Sequence, residues 1–308
     1  MKKVEFSFIS ADNSTKIRAV KYLPEKDVVA ILQIGHGMVE FIDRYDGFAK
    51  FLCDKGILVV GNDHLGHGGS VKSQEDWGYF AENDGYKIVL KDMHTLMELT
   101  KKEYPDKPYF LLGHSMGSFF CRLFLCEYPG ELNGAIVMGT GQQSVATVRA
   151  GKVLARAIAA RKGYRHRSQT VNAIALGSYN KKWEPSQTHC DWLTKDEEVV
   201  KAYANEPRNQ FMFTLNGYYN LFDCIEQIIK PSNLAKMDKD TPVLIVSGED
   251  DPVGEFGKGP RAVHEAFTNI GIKDLKLKLY PNDRHEILNE LDKLDVYNDL
   301  YNWIIERI

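Results

Sequence analysis

Residues 109–117 read YFLLGHSMG and place a serine between two glycines directly after an apolar run. The apolar run YFLL predicts a buried strand, and the mostly apolar residues 118–125 predict the helix that follows. Glycine leaves room for a sharp bend between them, so the serine is held in strained geometry with its hydroxyl exposed. This GxSxG pattern, in a strand–turn–helix context, predicts that Ser115 is a nucleophile.

A serine hydroxyl is a weak nucleophile at neutral pH and needs a histidine base that a carboxylate orients. In folds with this turn, the acid and then the histidine follow late strands. The apolar run 242–247 precedes two aspartates, and the alternating run 275–280 precedes a histidine. We expect Asp251 to orient His285, which acts as the base. Asp250 is the local alternative, because either aspartate could simply form a turn before proline.

A further apolar run, residues 28–34, predicts a buried strand that opens into Gly35-His36-Gly37-Met38. Negative charge develops on the attacked carbonyl oxygen, and backbone N–H groups can stabilise it there. We expect the N–H groups of Met38 and Met116 to form this oxyanion hole, with their side chains incidental to the role.

Four segments together resemble the α/β-hydrolase serine esterases of the bacterial lysophospholipase and monoacylglycerol lipase group, which are similar to serine aminopeptidases of the S33 type. The segments are HGMVE at 36–40 with RY at 44–45, DHLGHGGS at 63–70, GHSMG at 113–117, and SGEDDPVG at 247–254 together with RHEILNE at 284–290. The resemblance implies Ser115 as nucleophile, Asp251 as acid, His285 as base, and the N–H groups of Met38 and Met116 as the oxyanion hole. These are the same residues that the order of the motifs along the chain predicts.

The resemblance implies an α/β-hydrolase fold, and the run of elements agrees with it. Eight predicted strands alternate with helical patterns, which indicates a mostly parallel sheet flanked by helices, with an antiparallel hairpin at its start. The last helical pattern, residues 289–307, has apolar side chains at helical spacing from Leu291 and Leu294 onward. We expect that face to pack against the sheet.

The chain between residues 139 and 243 is far longer than a crossover between parallel strands needs. We therefore expect an α/β-hydrolase core at 1–141 and 233–308, with 142–232 inserted as a helical cap that roofs the serine. An aromatic-rich run begins at residue 211. We expect the substrate pocket to be lined by His114, Phe211, Phe213, Tyr218 and Val253. The alternative is that these aromatics form the core of the cap itself.

The resemblance implies hydrolysis of a lipid-like carboxylic ester, a monoacylglycerol or a lysophospholipid, through an acyl-enzyme on Ser115. Short-chain carboxylesterase or thioesterase activity, or less readily aminopeptidase activity, stays open, as does a non-catalytic binding protein built on this fold. The serine mechanism needs no metal and no organic cofactor. Metal-dependent hydrolysis would recruit Asp63, His64 and His67, whose spacing matches no known zinc signature.

Composition restricts the partners of this chain. Its 308 residues are 44% hydrophobic and 26% charged, and the net charge of −3 argues against nucleic-acid binding. Five cysteines, an odd number without metal-ligand spacing, indicate free thiols in a reducing compartment. The N-terminal residues lack the apolar segment of a signal peptide, so we expect a cytoplasmic protein.

A basic stretch lies in the predicted cap, because residues 132–183 contain no acidic side chain. Arg149, Lys152 and Arg156 would share one face of a helix. That face could make weak contact with an anionic lipid surface or head group. The alternative is a solvated face whose charges pair with acids elsewhere in the chain.

Overall fold

In the computed structural model, which describes residues 1–308, eight strands form one sheet in the order β1-β2-β4-β3-β5-β6-β7-β8. The strands are β1 (Lys2–Ile9), β2 (Lys16–Leu23), β3 (Ala30–Gly35), β4 (Ile57–Asn62), β5 (Tyr109–His114), β6 (Gly134–Met138), β7 (Val243–Gly248) and β8 (Leu275–Tyr280). β2 pairs antiparallel with β1 and with β4, and every other pair is parallel. The predicted mostly parallel sheet with its N-terminal hairpin is therefore confirmed.

The central strands carry apolar residues on both faces. Every residue of β3, β4, β5, β6 and β7 is buried, as expected for parallel strands that helices cover on both sides. The edge strands β1 and β8 alternate between exposed and partly buried positions instead. In β8 the exposed positions are Lys276 and Lys278, charges that discourage pairing with another sheet.

Ten helices accompany the sheet. They are α1 (Asp46–Cys53), α2 (Gly85–Glu103), α3 (Met116–Glu127), α4 (Val145–Lys162), α5 (Gln169–Leu176), α6 (Glu197–Asn205), α7 (Leu215–Ile228), α8 (Pro231–Leu234), α9 (Lys258–Asn269) and α10 (Lys293–Ile305). The apolar sides of α1 and α10 form the core on one face of the sheet. Those of α2, α3 and α9 form the core on the other face.

The packing face of the last helix agrees with the expectation at Tyr297, Leu300 and Ile304, which are buried, but differs from it at the start of the pattern. Leu291 and Leu294 are 70% and 60% exposed, so their predicted packing is wrong. The helix begins only at Lys293, and from there its buried face is set by the side chains that point at the sheet. Those residues are Val296, Tyr297, Leu300, Trp303 and Ile304.

Helices α4, α5, α6 and α7 all lie in the segment between β6 and β7. α4 packs along α7, and α7 packs in turn against α3 of the sheet's own layer. Phe213, Tyr218 and Cys224 of the segment belong to the same continuous core as the side chains of α2 and α3. The segment is thus attached to the sheet through shared apolar packing, while α4 and α5 extend over the carboxyl ends of the strands.

Candidate active site

Ser115 lies at the sharp bend between β5 and α3. Its backbone has φ +54° and ψ −118°, a conformation that a non-glycine residue rarely adopts. A Cβ atom on Gly113 would lie 2.2 Å from the carbonyl oxygen of Gly117, and one on Gly117 would lie 2.0 Å from that of Gly35. The two glycines are therefore required for the close approach of these turns, which leaves the serine side chain at the carboxyl edge of the sheet.

Asp251 and His285 follow β7 and β8, so both arrive at the same edge as Ser115. The Nδ1 atom of His285 lies 2.9 Å from Oδ1 of Asp251. The carboxylate is completely buried, and it also accepts hydrogen bonds from the Val253 N–H at 2.8 Å and the Ser247 hydroxyl at 3.1 Å. Burial alone would raise the pKa of Asp251, but His285 and these donors hold it below its ordinary value.

Asp250, the alternative acid, faces the other way. Its Oδ1 atom lies 2.5 Å from the ammonium group of Lys182, and both side chains are partly exposed. The backbone therefore separates two adjacent aspartates into a buried one beside the histidine and a surface one in an ion pair.

The segment 36–40, which we call the oxyanion loop, follows β3 and lies against Ser115. A Cβ atom on Gly37 would lie 3.0 Å from Cβ of Ser115, so glycine is what permits this contact. The N–H of Met38 donates no hydrogen bond within the protein. Met116 is the first residue of α3, where N–H groups lack an acceptor within the helix. Two unpaired N–H groups thus flank the serine.

A buried network of charges lies directly behind these residues, and no role for it followed from the sequence. One carboxylate oxygen of Glu40 accepts from the Gly37 N–H at 2.5 Å, and the other lies 2.8 Å from Arg44. Arg44 also forms a bidentate pair with Glu286, at 2.6 and 2.7 Å. The network therefore connects the oxyanion loop with the residue that follows the candidate base.

His114 completes this network from the position before Ser115. Its Nδ1 atom lies 3.1 Å from Glu40, and its Nε2 atom lies 3.3 Å from the backbone carbonyl of His285. Glu40 and the carbonyl can only accept, whereas the Tyr45 hydroxyl, which lies 3.1 Å from Nδ1, can also donate. Burial would lower the pKa of His114, but the hydrogen bond and charge of Glu40 raise it above its ordinary value.

His36 lies against His64 and His67, the two histidines considered for a metal site, with ring centroids 4.2 and 5.2 Å away. His36 donates through Nδ1 to the Gly37 carbonyl at 2.8 Å and accepts from the His64 N–H at 2.8 Å, which makes it a neutral ring. Burial lowers the pKa of His36 and of His67 to about 3. Asp63 accepts from the backbone N–H groups of residues 42 and 69. These side chains support the oxyanion loop from beneath.

A cavity of about 550 Å³ opens beside Ser115, and its lining is mostly apolar. Six further predicted residues line it together with the serine: Met38, His114, Met116, Tyr218, Val253 and, at the polar end, His285. Asp251 lies behind the histidine and does not reach the cavity. The insert contributes a set of side chains that sequence reasoning did not single out: Val148, Leu154, Ile174, Leu176, Tyr179, Trp192 and Tyr203.

Phe211 and Phe213 do not line this cavity, so their assignment to the pocket is wrong. Both rings pack on His67, with ring centroids 5.6 and 5.3 Å away, and Phe211 stacks on Trp77. They belong to the core that joins the insert to the sheet. The alternative interpretation of the aromatic run, as packing, holds for these two residues.

Part of the insert is hydrogen-bonded to the loop that carries the candidate base, His285. Residues 191–195 contact residues 283–290 through three short polar contacts: Arg284 Nη1 to Asp191 O at 2.5 Å, Glu286 N to Leu193 O at 2.7 Å, and Lys195 Nζ to Asp283 Oδ1 at 2.7 Å. We call residues 190–203 the latch segment. The opposite part of the insert, α4 and α5, makes none of these contacts.

The basic face of α4 is largely paired. Arg149 lies 2.9 Å from Glu226 of α7, and Lys152 lies 2.6 Å from the same carboxylate and also pairs with Asp223. Arg156 makes no ion pair. The alternative interpretation, in which these basic side chains pair with acidic residues elsewhere in the chain, therefore holds for Arg149 and Lys152.

All five cysteines are free and buried. Burial raises the pKa of Cys121 to about 12, so that its thiol stays protonated. None of the helices combines the length and the apolar character needed to cross a membrane.

Comparison with known proteins places this geometry in a family. The family model for serine aminopeptidase, S33, matches residues 26–292. Human monoglyceride lipase is 31% identical over 294 residues, which cover 90% of this chain and 83% of the relative. A monoacylglycerol lipase of Mycolicibacterium smegmatis is 26% identical over 289 residues, which cover 93% of this chain and 92% of the relative. A crystal structure of a thermostable carboxyl esterase from Bacillus coagulans, in complex with glycerol, matches this fold with a TM-score of 0.92 and 28% identity. The match covers 100% of this chain and 99% of the esterase chain. The chain therefore belongs to the serine aminopeptidase S33 family of α/β-hydrolases.

Proposed function

We propose that this protein is a serine hydrolase that cleaves carboxylic esters of lipid-like substrates, monoacylglycerols or lysophospholipids. The observation that carries the proposal is Ser115 at a strained bend, on the wall of an apolar cavity that also exposes His285. The names of its relatives agree with ester hydrolysis, since they include monoglyceride lipases and a carboxyl esterase.

In the proposed mechanism, Ser115 Oγ attacks the ester carbonyl while Nε2 of His285 takes the hydroxyl proton. Asp251 holds Nδ1–H of the ring and stabilises the imidazolium that forms. The N–H groups of Met38 and Met116 donate to the oxyanion of the tetrahedral intermediate. His285 then gives its proton to the leaving alcohol, which breaks the ester bond and leaves an acyl-enzyme.

Deacylation repeats these steps with water. His285 removes a proton from the water, which attacks the acyl carbonyl, and the second tetrahedral intermediate collapses to release the acid and restore Ser115. The charged network behind the site supports this cycle, because Arg44 pairs with both Glu40 and Glu286.

We propose that residues 142–232 act as a cap over the site, with the boundaries expected from the sequence. The cap supplies much of the apolar lining, including Leu154, Ile174 and Tyr218, which supports an acyl chain as the part of the substrate bound there. Five buried free thiols support a reducing compartment such as the cytoplasm. Arg156, the residue of the basic face without an ion pair, would add only weak attraction to an anionic lipid surface.

A short-chain carboxylesterase is the second candidate, and the carboxyl esterase relative favours it specifically. Hydrolysis of p-nitrophenyl esters from acetate to palmitate separates the two, with Ser115→Ala as the matched blank. We expect an optimum at medium or long chains, and a loss of about a millionfold in kcat on removing the nucleophile. An optimum at acetate would support the second candidate. No turnover that depends on Ser115 would refute serine hydrolysis.

A further inference from the structure

Val39, in the middle of the oxyanion loop, has a backbone conformation that its side chain opposes. Its φ is +57°, in the left-handed region that glycine adopts without cost. A β-branched side chain makes this region a rare outlier, because Cβ and its two branches crowd the neighbouring peptide oxygens. Such a conformation persists only where surrounding contacts hold it.

One contact that holds it comes from the cap. Tyr203, in α6, donates its hydroxyl hydrogen to the Val39 carbonyl oxygen at 2.9 Å. This is the only hydrogen bond in which the backbone of Val39 takes part. The ring of Tyr203 is itself fixed, since the guanidinium carbon of Arg44 lies 4.7 Å from its centroid and Arg44 is held by two carboxylates.

The other bonds of the loop do not replace this contact. The Gly37 N–H reaches the Glu40 side chain, which closes the turn around Met38 and Val39 but leaves the carbonyl of Val39 free. If φ of Val39 relaxed to a negative value, the peptide units before it would rotate relative to Glu40. The N–H of Met38 belongs to those units, so it would turn away from the oxygen it is proposed to bind.

We propose that Tyr203 is a positioning residue that keeps the oxyanion loop in its working conformation by holding the Val39 carbonyl. The bond is needed because residue 39 is valine, a residue strained at this φ. The cap segment then contributes to the chemical step as well as to substrate binding. This inference rests on the proposed role of the Met38 N–H in ester hydrolysis.

The test is a double-mutant cycle between Tyr203→Phe and Val39→Gly, measured as kcat and KM on a p-nitrophenyl ester. With Val39 present, Tyr203→Phe should lower kcat by about fivefold, the effect of one lost hydrogen bond, while KM stays within about twofold. In the Val39→Gly background the same change should cost less than about twofold, because glycine needs no such support. Tyr164→Phe, on an exposed cap tyrosine without a hydroxyl hydrogen bond, is the matched control and should change neither constant.

Equal losses in both backgrounds, or no loss in either, would overturn the proposal. Crystal structures of the wild type and Tyr203→Phe provide a readout that needs no turnover: the variant should show φ of Val39 at a negative value or poorly ordered residues 38–39. An unchanged, well-ordered loop would also overturn it. A wild type without turnover that depends on Ser115 would refute the proposed function, and the two crystal structures would then decide the role of Tyr203 by themselves.

Discussion

Replacing Asp251 by asparagine tests the proposed triad most directly. The substitution keeps the shape of the side chain and removes its charge. The Oδ1 atom of Asp251 accepts from both the His285 ring and the Val253 N–H, while Oδ2 meets the Ser247 hydroxyl. An asparagine can place its oxygen at the first position and donate its amide hydrogen to Ser247, since a hydroxyl both donates and accepts.

This arrangement fixes the size of the expected effect. Because the asparagine oxygen can still accept from Nδ1–H, His285 keeps the tautomer that can take a proton from Ser115. What is lost is the attraction between the carboxylate and the imidazolium that forms in the transition state. Two unit charges about 4 Å apart interact by about 4 kcal/mol at an effective dielectric constant near 20. We therefore expect Asp251→Asn to lower kcat by about a thousandfold.

The matched control is Asp250→Asn, one residue earlier. Asp250 pairs with Lys182 at the surface, and such exposed pairs contribute little, so kcat should stay within about twofold of the wild type. Initial rates on a medium-chain p-nitrophenyl ester, with thermal unfolding to verify that both variants fold, give the comparison. Equal turnover by the two variants, or an Asp251→Asn variant that retains a tenth of the wild-type kcat, would refute the reasoning.

Two further predictions concern stability and specificity. The raised pKa of His114 means that its bond to Glu40 stabilises the fold fully below the unfolded pKa and is lost as pH rises through the folded pKa. Urea unfolding at increasing pH above 6 should show a decline in the free energy of unfolding of the wild type that is absent in His114→Gln; parallel pH profiles would contradict this. Leu154→Trp should fill part of the cavity and lower kcat/KM for laurate about tenfold relative to butyrate, whereas an equal loss for both esters would place Leu154 outside the acyl site.

The residues of the proposed triad could be predicted because each one follows a strand. Parallel strands bring their carboxyl ends to one edge, so the order of strand-ending motifs along the chain was sufficient to bring Ser115, Asp251 and His285 together. The glycines around Ser115 were also informative, because their spacing on either side of the serine indicates a local bend. The predicted sheet and its N-terminal hairpin depended equally on local patterns.

Features that depend on contacts between distant segments could not be predicted in this way. Arg44 and Glu286 are 242 residues apart in the chain and meet only because the turn before α1 and the loop after β8 lie at the same edge of the sheet. Phe211 and Phe213 were misassigned because an aromatic run does not indicate which of two apolar surfaces it will contact. Leu294, in the first turn of α10, has the helical spacing of the buried residues but is exposed, because spacing alone does not indicate how much of a helix the rest of the fold covers.

The cap consists of two parts whose sequences differ in how freely they can change, and the latch segment is one of them. Residues 190–203 are bonded to the loop of His285 and to the oxyanion loop, so their sequence is constrained by chemistry at Ser115. Helices α4 and α5 contribute apolar lining without such bonds. A chimaera that takes residues 144–176 from a relative should therefore acquire a new acyl-chain preference with its turnover machinery intact. The substrate range of related enzymes can diversify in evolution in the same way, because the sequence of α4 and α5 can change while the latch segment is conserved.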